Sequence, residues 1–502
     1  MLRYVRLKNF KCYEDAEFQF GSSLTLIYGR NSSGKSTVFH ALMALKQSWE
    51  PRLSGFMELR TQGPYANLGR FDNVVHRSKG DQGVDRIVEI ELGTPTSKIA
   101  LQYVSDSAGL WGQLRGLGVS GIQLVPIDGT GLQIDRQSLG KLEVSDLSDA
   151  DRLEWLDLCG SASFHASLRI DDESGTWMLD RAIDTAKLLD PLAKGAGAED
   201  QASASGPLTR EESEEAQQAF QRGLAAKAEA HKARLETIWN RLVGPNEVGP
   251  IGRVLRYVLN GLFTIRTEVL GTQHIGPVRA PGRRIYDAPN RGTNFVGHDG
   301  HDFVGLLSRD EALVATVNER MSSMGLDYVL SVESRGSTGD SVELILSFSC
   351  EDAEHEQHGP VSLGLPDVGF GMSQILPILT QVVYDSENQA EGALLLEQPE
   401  LHVNPHWSQN IVDFFLGLYD AKDHGQEGAG GQRVIIAETH DDTLVNRVTK
   451  LIAEKHIDAS QAALIVVERM NGVAEAHAVG LHSETGTFLD PWPGGFFPER
   501  WA

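Results

Sequence analysis

The stretch GRNSSGKST, residues 29–37, decides how this chain is read. It fits the spacing G-x-x-x-x-G-K-[ST] through Gly29, Gly34, Lys35 and Ser36. The spacing has a mechanism. Backbone N–H groups along Gly29, Arg30, Asn31, Ser32, Ser33 and Gly34 wrap a β-phosphate, and glycine lets the main chain come close. Lys35 reaches the β- and γ-phosphates and Ser36 holds Mg2+. Thr37 follows within the helix read over 35–48, which turns its positive N-terminus toward the anion. The context agrees: SLTLIY (23–28) reads as a strand entering the loop, and residues 35–48 read as a helix leaving it. Chance would supply roughly 0.03 such matches in a chain of this glycine content.

Two further stretches extend the phosphate site. In LLLEQPELHVNP (394–405) an apolar run ends in Glu397, which places a carboxylate at the water shell of the Mg2+. Gln398 follows where a proton-accepting glutamate is expected, and Glu400 is the candidate substitute acid. In RVIIAETHDD (433–442) a second buried strand ends in Glu438, Thr439 and His440, and His440 is positioned to sense a γ-phosphate. His402 and His406 are four apart, but Pro405 lies between them and no H-E-x-x-H is present, which argues against zinc. DVGFGMSQILPIL (367–379) is a two-glycine turn opening an apolar helix, which is either an anion-binding shape or a plain helix cap.

Composition sets the outer limits. The chain has 502 residues, 41% hydrophobic and 23% charged, enough for two or three cores. A formal net charge of -24 excludes a chain that coats nucleic acid through its whole surface, while leaving room for a local basic groove. Cys12, Cys159 and Cys350 fit neither a disulfide framework nor a zinc knuckle. The start, MLRYVRLKNFK, lacks a signal peptide's apolar core, and no apolar run approaches membrane-spanning length. A cytoplasmic protein without a membrane partner is expected.

Along the chain, residues 2–28 read as two or three short strands and 86–178 as a mixed, strand-containing region without evident chemistry. PLAKGAGAEDQASASGP (191–207) reads as a linker. A long helix is expected over 210–242, opened by a capping box at Thr209 and Glu212 and closed by Gly244-Pro245. Its far half, with Leu235, Ile238 and Leu242, is the part expected to pack on the body. SVELILSFS (341–349) reads as a strand, 351–360 as a polar loop, 373–384 as a helix, 392–397 and 433–438 as buried strands, and 420–431 as an exposed loop.

Taken together, LKNFKCYEDAEFQF…LTLIYGRNSSGKST resembles the N-terminal half of SMC/RecF/OLD-type ABC ATPases. DVGFGMSQILPIL sits where that superfamily has its signature motif. LLLEQPELHVNP resembles its Walker B and D-loop, and IIAETHDD its H-loop. The motifs E-Q-P-E-L-H-x-x-P and E-T-H are similar to those of bacterial RecF-like ATPases, as are GPYANLGRFDNVVH, IGPVRAPGRR, FVGHDG and WPGGFFPER. The resemblance spans roughly residues 1–80 and 270–500 and is weak over 85–210.

It implies an α/β P-loop fold of ABC-ATPase type: a mixed sheet flanked by helices, with a helical insertion between the half-sites. The expected division is 1–84 for the N-terminal half, 85–190 for a β-rich insertion, 191–262 for linker and helical stub, and 263–502 for the C-terminal half. It also implies a head-to-head homodimer around Mg-ATP, in which Gly369, Gly371 and Ser373 meet the partner's γ-phosphate. Gly369 falls where the signature serine belongs, leaving Ser373 as the hydroxyl. Lys11 is the candidate phosphate contact and Gln62 the candidate Mg2+ contact, a surface role being the alternative for both. Arg279 and Arg283 face a γ-phosphate, DNA or solvent.

The function expected is a slow ATPase acting on or near DNA in defence or repair and controlling a separate nuclease or toxin subunit. The alternative is an ATP-gated scaffold that hydrolyses little and releases a partner. A transporter subunit fits poorly, given the divergent signature and the long interval between half-sites. Nuclease chemistry of TOPRIM type is not expected in the last sixty residues, where AALIVVERM is the one strand-like run.

Overall fold

The computed structural model describes residues 1–50, 57–77, 87–127, 131–135, 164–170, 177–183, 250–287, 289, 292–335, 341–348, 361–419 and 433–492, with scattered positions between 226 and 240. The expected linker at 191–207 and the loops at 351–360 and 420–431 lie outside the described residues. So does most of the expected helix over 210–242. Its described positions are helical, and Ile238 is buried against the main core.

The N-terminal strands are β1 (Tyr4–Phe10), β2 (Tyr13–Gln19) and β3 (Leu24–Tyr28). Helix α1 (Thr37–Trp49) follows the phosphate loop. Next come β4 (Glu58–Leu59), β5 (Val88–Gly93), β6 (Lys98–Ser105), β7 (Gly112–Val119), β8 (Ile122–Ile127), β9 (Gly131–Ile134), β10 (Phe164–Ile170) and β11 (Trp177–Ile183). Helix α2 (Pro250–Gly271) leads to β12 (Gln273–Ile275) and β13 (Ile285–Asp287). Helices α3 (Phe303–Leu307) and α4 (Glu311–Ser323) precede β14 (Val329–Arg335), β15 (Ser341–Phe348) and β16 (Val361–Gly364). The C-terminal half holds α5 (Phe370–Asn388), β17 (Ala393–Glu397), α6 (Pro405–Phe415), β18 (Val434–Thr439), α7 (Asp442–Ala453), β19 (Ala462–Met470) and β20 (Val473–Val479).

Two sheets result. The large one has sixteen strands in the order β11-β10-β9-β8-β7-β6-β5-β1-β2-β20-β19-β3-β18-β17-β12, with β4 on β7. From β11 to β2 it is an antiparallel meander, and β19, β3, β18, β17 and β12 run parallel. The small sheet joins β13, β15, β14 and β16. This is the α/β P-loop fold of ABC-ATPase type: a mixed sheet flanked by helices.

The region expected to be mixed over 86–178 is therefore an antiparallel continuation of the N-terminal sheet. Its strands alternate one buried face, such as Ile99, Leu101 and Tyr103, with one polar face. Helix α2 went unread in the sequence. It crosses residue 262 and packs Leu262, Ile265 and Val269 into the core that α1 also fills. The last sixty residues hold a second strand as well. Asn471 and Gly472, with φ of 53° and 94°, make the tight turn that folds β20 back on β19.

The parallel strands divide two cores by simple alternation. Ile27, Leu395 and Ile436 point to the side of α1, and Leu26, Leu396 and Ile435 to the side of α5. A buried ion pair ties the two sides together. Arg433, at the start of β18, bonds Asp385 of α5 at 2.7 Å with both side chains 3% exposed. It also donates to Gln273 at 2.7 Å and to the Gly271 carbonyl. Asp385→Ala would strand that guanidinium, so urea unfolding of the variant is expected to show a loss of about 3–5 kcal/mol.

Candidate functional site

The register of three parallel strands builds the site. Glu438 on β18 pairs with Ile27 on β3, and Glu397 on β17 pairs with Glu438. Paired residues share a face, so both carboxylates lie on the α1 side of the sheet, beside the phosphate loop. Strand β3 ends at Tyr28 and opens directly into that loop.

The loop backbone is shaped for close approach. Gly34 has φ of 118°, and an added Cβ would meet Cys12 Sγ at 2.6 Å. At Gly29 an added Cβ would fall 2.3 Å from the Val467 carbonyl. Ser32 takes a left-handed φ of 61°. Lys35 is only 3% exposed, and its Nζ folds back on the Gly29 and Arg30 carbonyls at 3.0 Å each. Burial lowers its pKa against the pull of Glu438, Glu400 and Glu397. Ser33 Oγ is buried with no hydrogen-bond partner. An amine held by two loop carbonyls and the His440 ring, beside an orphaned hydroxyl, fits a loop made to receive phosphate oxygens.

A cavity of about 510 Å³ opens over this loop, within the usual range for a small-molecule site. Asn31, Ser32, Gly34, Lys35, Ser36 and Thr37 form its floor. Gln398, Glu438 and His440 close one side, and Lys11, His40, Asn73, His76 and Arg77 another. Arg469 and Gly472, from the β19–β20 turn, complete the rim.

The two strand-end acids differ. Ser36 Oγ donates to Glu438 Oε2 at 2.5 Å. Burial pushes the Glu438 carboxyl up to about 7, with Ser36 and Lys35 opposing and Glu397 and Glu400 adding to the rise. Glu397 instead accepts from buried His274 Nε2 at 2.9 Å. Burial raises its pKa, and the His274 hydrogen bond with neighbouring imidazoles outweighs burial, so the net shift is downward. Ser36 and Glu438 together present hard oxygen donors, the set Mg2+ prefers when substrate phosphates supply the remainder.

His440 lies across the loop from Lys35. Its Nδ1 donates to the Gly29 carbonyl at 2.7 Å, which puts the proton on that nitrogen. Burial, ahead of the Lys35 charge, lowers its pKa. Lys11, with φ of 52°, reaches His40 Nδ1 at 3.1 Å, and burial pushes His40 down to about 4.

Several expected residues stand elsewhere. Glu400 is off the cavity wall, where it accepts from Thr439 Oγ1 at 2.7 Å and His440 N at 3.2 Å. Gln62 is exposed, pairs with Asn67 and does not reach the cavity, because Gln47 holds that loop against α1 through Arg60, Tyr65 and Ala66. Gly369, Gly371 and Ser373 are also off this cavity. Gly369 caps α5 with φ of 105°, Phe370 is 48% exposed, and Ser373 Oγ donates to the Phe370 carbonyl at 2.7 Å. Arg30 is exposed beside the loop.

The basic pair at 279 and 283 divides. Arg283 is exposed, whereas Arg279 is 1% exposed and faces neither solvent nor a groove. Its guanidinium donates to the carbonyls of Glu397 at 2.7 Å and Gln398 at 3.2 Å, and its backbone exchanges bonds with the Gln374 side chain. It thus straps α5 to the loop in which Gln398 holds a left-handed φ of 45°. Sequence reading placed Glu438 at the end of the second buried strand but gave it no role, although its apolar run ending in an acid repeats the pattern that drew attention to Glu397. His274 and His40 carried no local signal.

Residues 4–90 match the family model described as "AAA domain". Residues 353–446 match the model described as "AAA domain, putative AbiEii toxin, Type IV TA system". Two separate stretches of the chain, one carrying the phosphate loop and one carrying Glu397 and Glu438, are thus similar to AAA-domain models. No curated protein matches. Among solved structures, an Smc head domain from Pyrococcus furiosus bound to the C-terminal domain of ScpA is similar at 11% identity and a TM-score of 0.38, covering 95% of this chain and 96% of that one. The SMC head domain from Thermotoga maritima gives 11%, 0.34, 96% and 99%. A Pyrococcus yayanosii Smc head with coiled coil and joint gives 12%, 0.39, 97% and 98%.

The raised Glu438 pKa makes a pH prediction for the metal-free, nucleotide-free protein. The folded state holds a proton that an unfolded chain gives up above the ordinary value of 4.5. That contribution is complete below pH 4.5 and is lost as pH rises through 7. Unfolding free energies at pH 5 and pH 8 are expected to fall further in the wild type than in Glu438→Gln, by on the order of 2 kcal/mol.

Proposed function

We propose that the chain binds Mg-ATP and hydrolyses it slowly, assembling head-to-head with a second copy around the nucleotide. The observation that carries this is convergence. Lys35 and Ser36 meet Glu438, 402 positions from Ser36, and His440, 405 positions from Lys35, on one cavity.

In this reading the loop amides and Lys35 hold the β- and γ-phosphates, with Lys11 adding charge from the opposite wall. Magnesium, when bound, neutralises the phosphate oxygens, and Ser36 with a strand-end acid would hold it. His440 hydrogen-bonds the γ-phosphate. Gln398 orients the attacking water but, as a neutral amide, takes no proton from it, which keeps turnover slow. Glu400, behind the wall, holds Thr439 and His440 in place. Gly369, Gly371 and Ser373 lie off the chain's own cavity, in keeping with service to the partner's nucleotide.

The setting proposed is defence or repair, on or near DNA, with a separate nuclease or toxin as the effector. The second matched model is described with a toxin and a toxin–antitoxin system, which supports that setting. Gln398 on the cavity wall also favours a second reading: an ATP-gated scaffold that turns over little and releases its partner when the dimer opens.

Steady-state hydrolysis with and without DNA ends separates the readings. Stimulation supports the first, and an ATP-stable dimer with negligible turnover the second. Lys35→Ala is expected to weaken ATP binding by roughly 10–150-fold, the equivalent of one charge-assisted hydrogen bond. Gln398→Glu is expected to raise turnover by roughly 100-fold or more. An unchanged rate in Gln398→Glu shows that this is not the position of the missing base.

A further inference from the structure

The two acids at the sheet's edge are not equivalent, and their neighbours show which one faces the metal. The strand order puts β18 between β3 and β17, so Glu438 is one strand nearer the phosphate loop than Glu397. Glu438 lines the cavity, and Glu397 does not. The Ser36 hydroxyl, the group that ligates the cation in this reading, donates to Glu438 at 2.5 Å. Glu397 is committed elsewhere: its side chain accepts from His274 at 2.9 Å, and its carbonyl accepts from Arg279 at 2.7 Å.

We infer that Glu438, from the strand of the histidine loop, is the carboxylate that shares the nucleotide's divalent cation with Ser36. His274 holds Glu397 back as a positioning residue. The inference rests on the Mg-ATP reading above and deepens it, because the metal-facing acid moves one strand over from the position that LLLEQ would assign. Hard-cation chemistry allows it. Mg2+ needs one or two carboxylate or hydroxyl oxygens beside the phosphates, and a glutamate at the adjacent strand end supplies one as well as the next strand would. The same shift accounts for Gln398. With Glu438, Glu397 and Glu400 already grouped at this edge, an acid at position 398 would add a fourth carboxylate beside one small anion-binding site.

The test reads metal demand, not turnover. A fluorescent ATP analogue is titrated onto the full chain across a range of Mg2+, and Mn2+ bound in the presence of ATP is followed by electron paramagnetic resonance. Glu438→Gln is expected to raise the Mg2+ concentration for half-maximal nucleotide retention by roughly 10–100-fold, and Glu397→Gln by clearly less. Retention in EDTA is expected to be no weaker in Glu438→Gln than in wild type, since removing an acid beside the phosphates relieves repulsion. Ser36→Ala in the Glu438→Gln background is expected to add less than Ser36→Ala alone, because the two groups serve one ion. Should Glu438→Gln fold poorly, Glu438→Asp keeps the charge while withdrawing it by one methylene, and is expected to raise metal demand too. A Glu397→Gln shift equal to or larger than that of Glu438→Gln overturns the assignment and leaves the ATPase reading standing. A wild type that retains no nucleotide at any Mg2+ concentration overturns both.

Discussion

The in-register parallel pairing of Leu24–Tyr28 with Val434–Thr439 is the contact on which the site depends. It joins the first strand of the phosphate loop to a strand more than 400 positions away and aligns their ends. Ile27 and Glu438 then point to one face, and the next pairing adds Glu397 to it. A one-residue slip would turn both acids into the opposite core, among Leu26, Leu396 and Ala437. The apolar alternation of β3, β17 and β18 therefore holds the chemistry in place. Each strand is buried on both faces, so each register error would bury a charge and expose an aliphatic side chain.

The edge so formed is electrostatically crowded. Lys35, Glu438, Glu397, Glu400 and His440 lie within one largely buried region, and burial moves Lys35 and His440 down and Glu438 and Glu400 up. Each shift favours a neutral form where solvent is scarce. A polyanion with its cation, were it bound as proposed, would change that balance, giving Lys35 a counter-charge and Glu438 a metal partner. Lys35 is held by its own loop's carbonyls at Gly29 and Arg30 and by the His440 ring, so its charge has no carboxylate in direct contact within the loop. Arg279 works at the rear of the same edge. It binds the backbone of Glu397 and Gln398 with its guanidinium and α5 with its main chain, and so connects the nucleotide side of the chain with the helix that begins at Phe370.

Much of this was legible in the residues, and the parts that were not share a cause. GRNSSGKST, the apolar runs before Glu397 and Glu438, and the helix after Gly371 are local patterns, each contained within a dozen positions. Helix α2 was missed because it starts just beyond the Gly244-Pro245 stop that closes the expected preceding helix, with a further glycine and proline at Gly249 and Pro250. Strand β20 was missed although Met470-Asn471-Gly472-Val473 carries a hairpin signal. Arg279 read as facing a γ-phosphate, DNA or solvent because its neighbours Pro281, Gly282 and Arg283 look like a loop, and nothing nearby announces that the residue is 1% exposed.

By itself, the sequence determined that a triphosphate-binding loop exists, that two buried strands end in acids, and that the chain belongs with P-loop folds. Those properties depend on spacing and alternation along the backbone, which a linear text preserves. Only the tertiary structure decided which acid sits against Ser36, that His274 occupies Glu397, that Gln62 stays outside, and that Glu400 props the histidine loop. These are matters of strand order. Two acids with the same local signature become unlike when one strand lies beside the phosphate loop and the other lies a strand-width further away, about 4.8 Å.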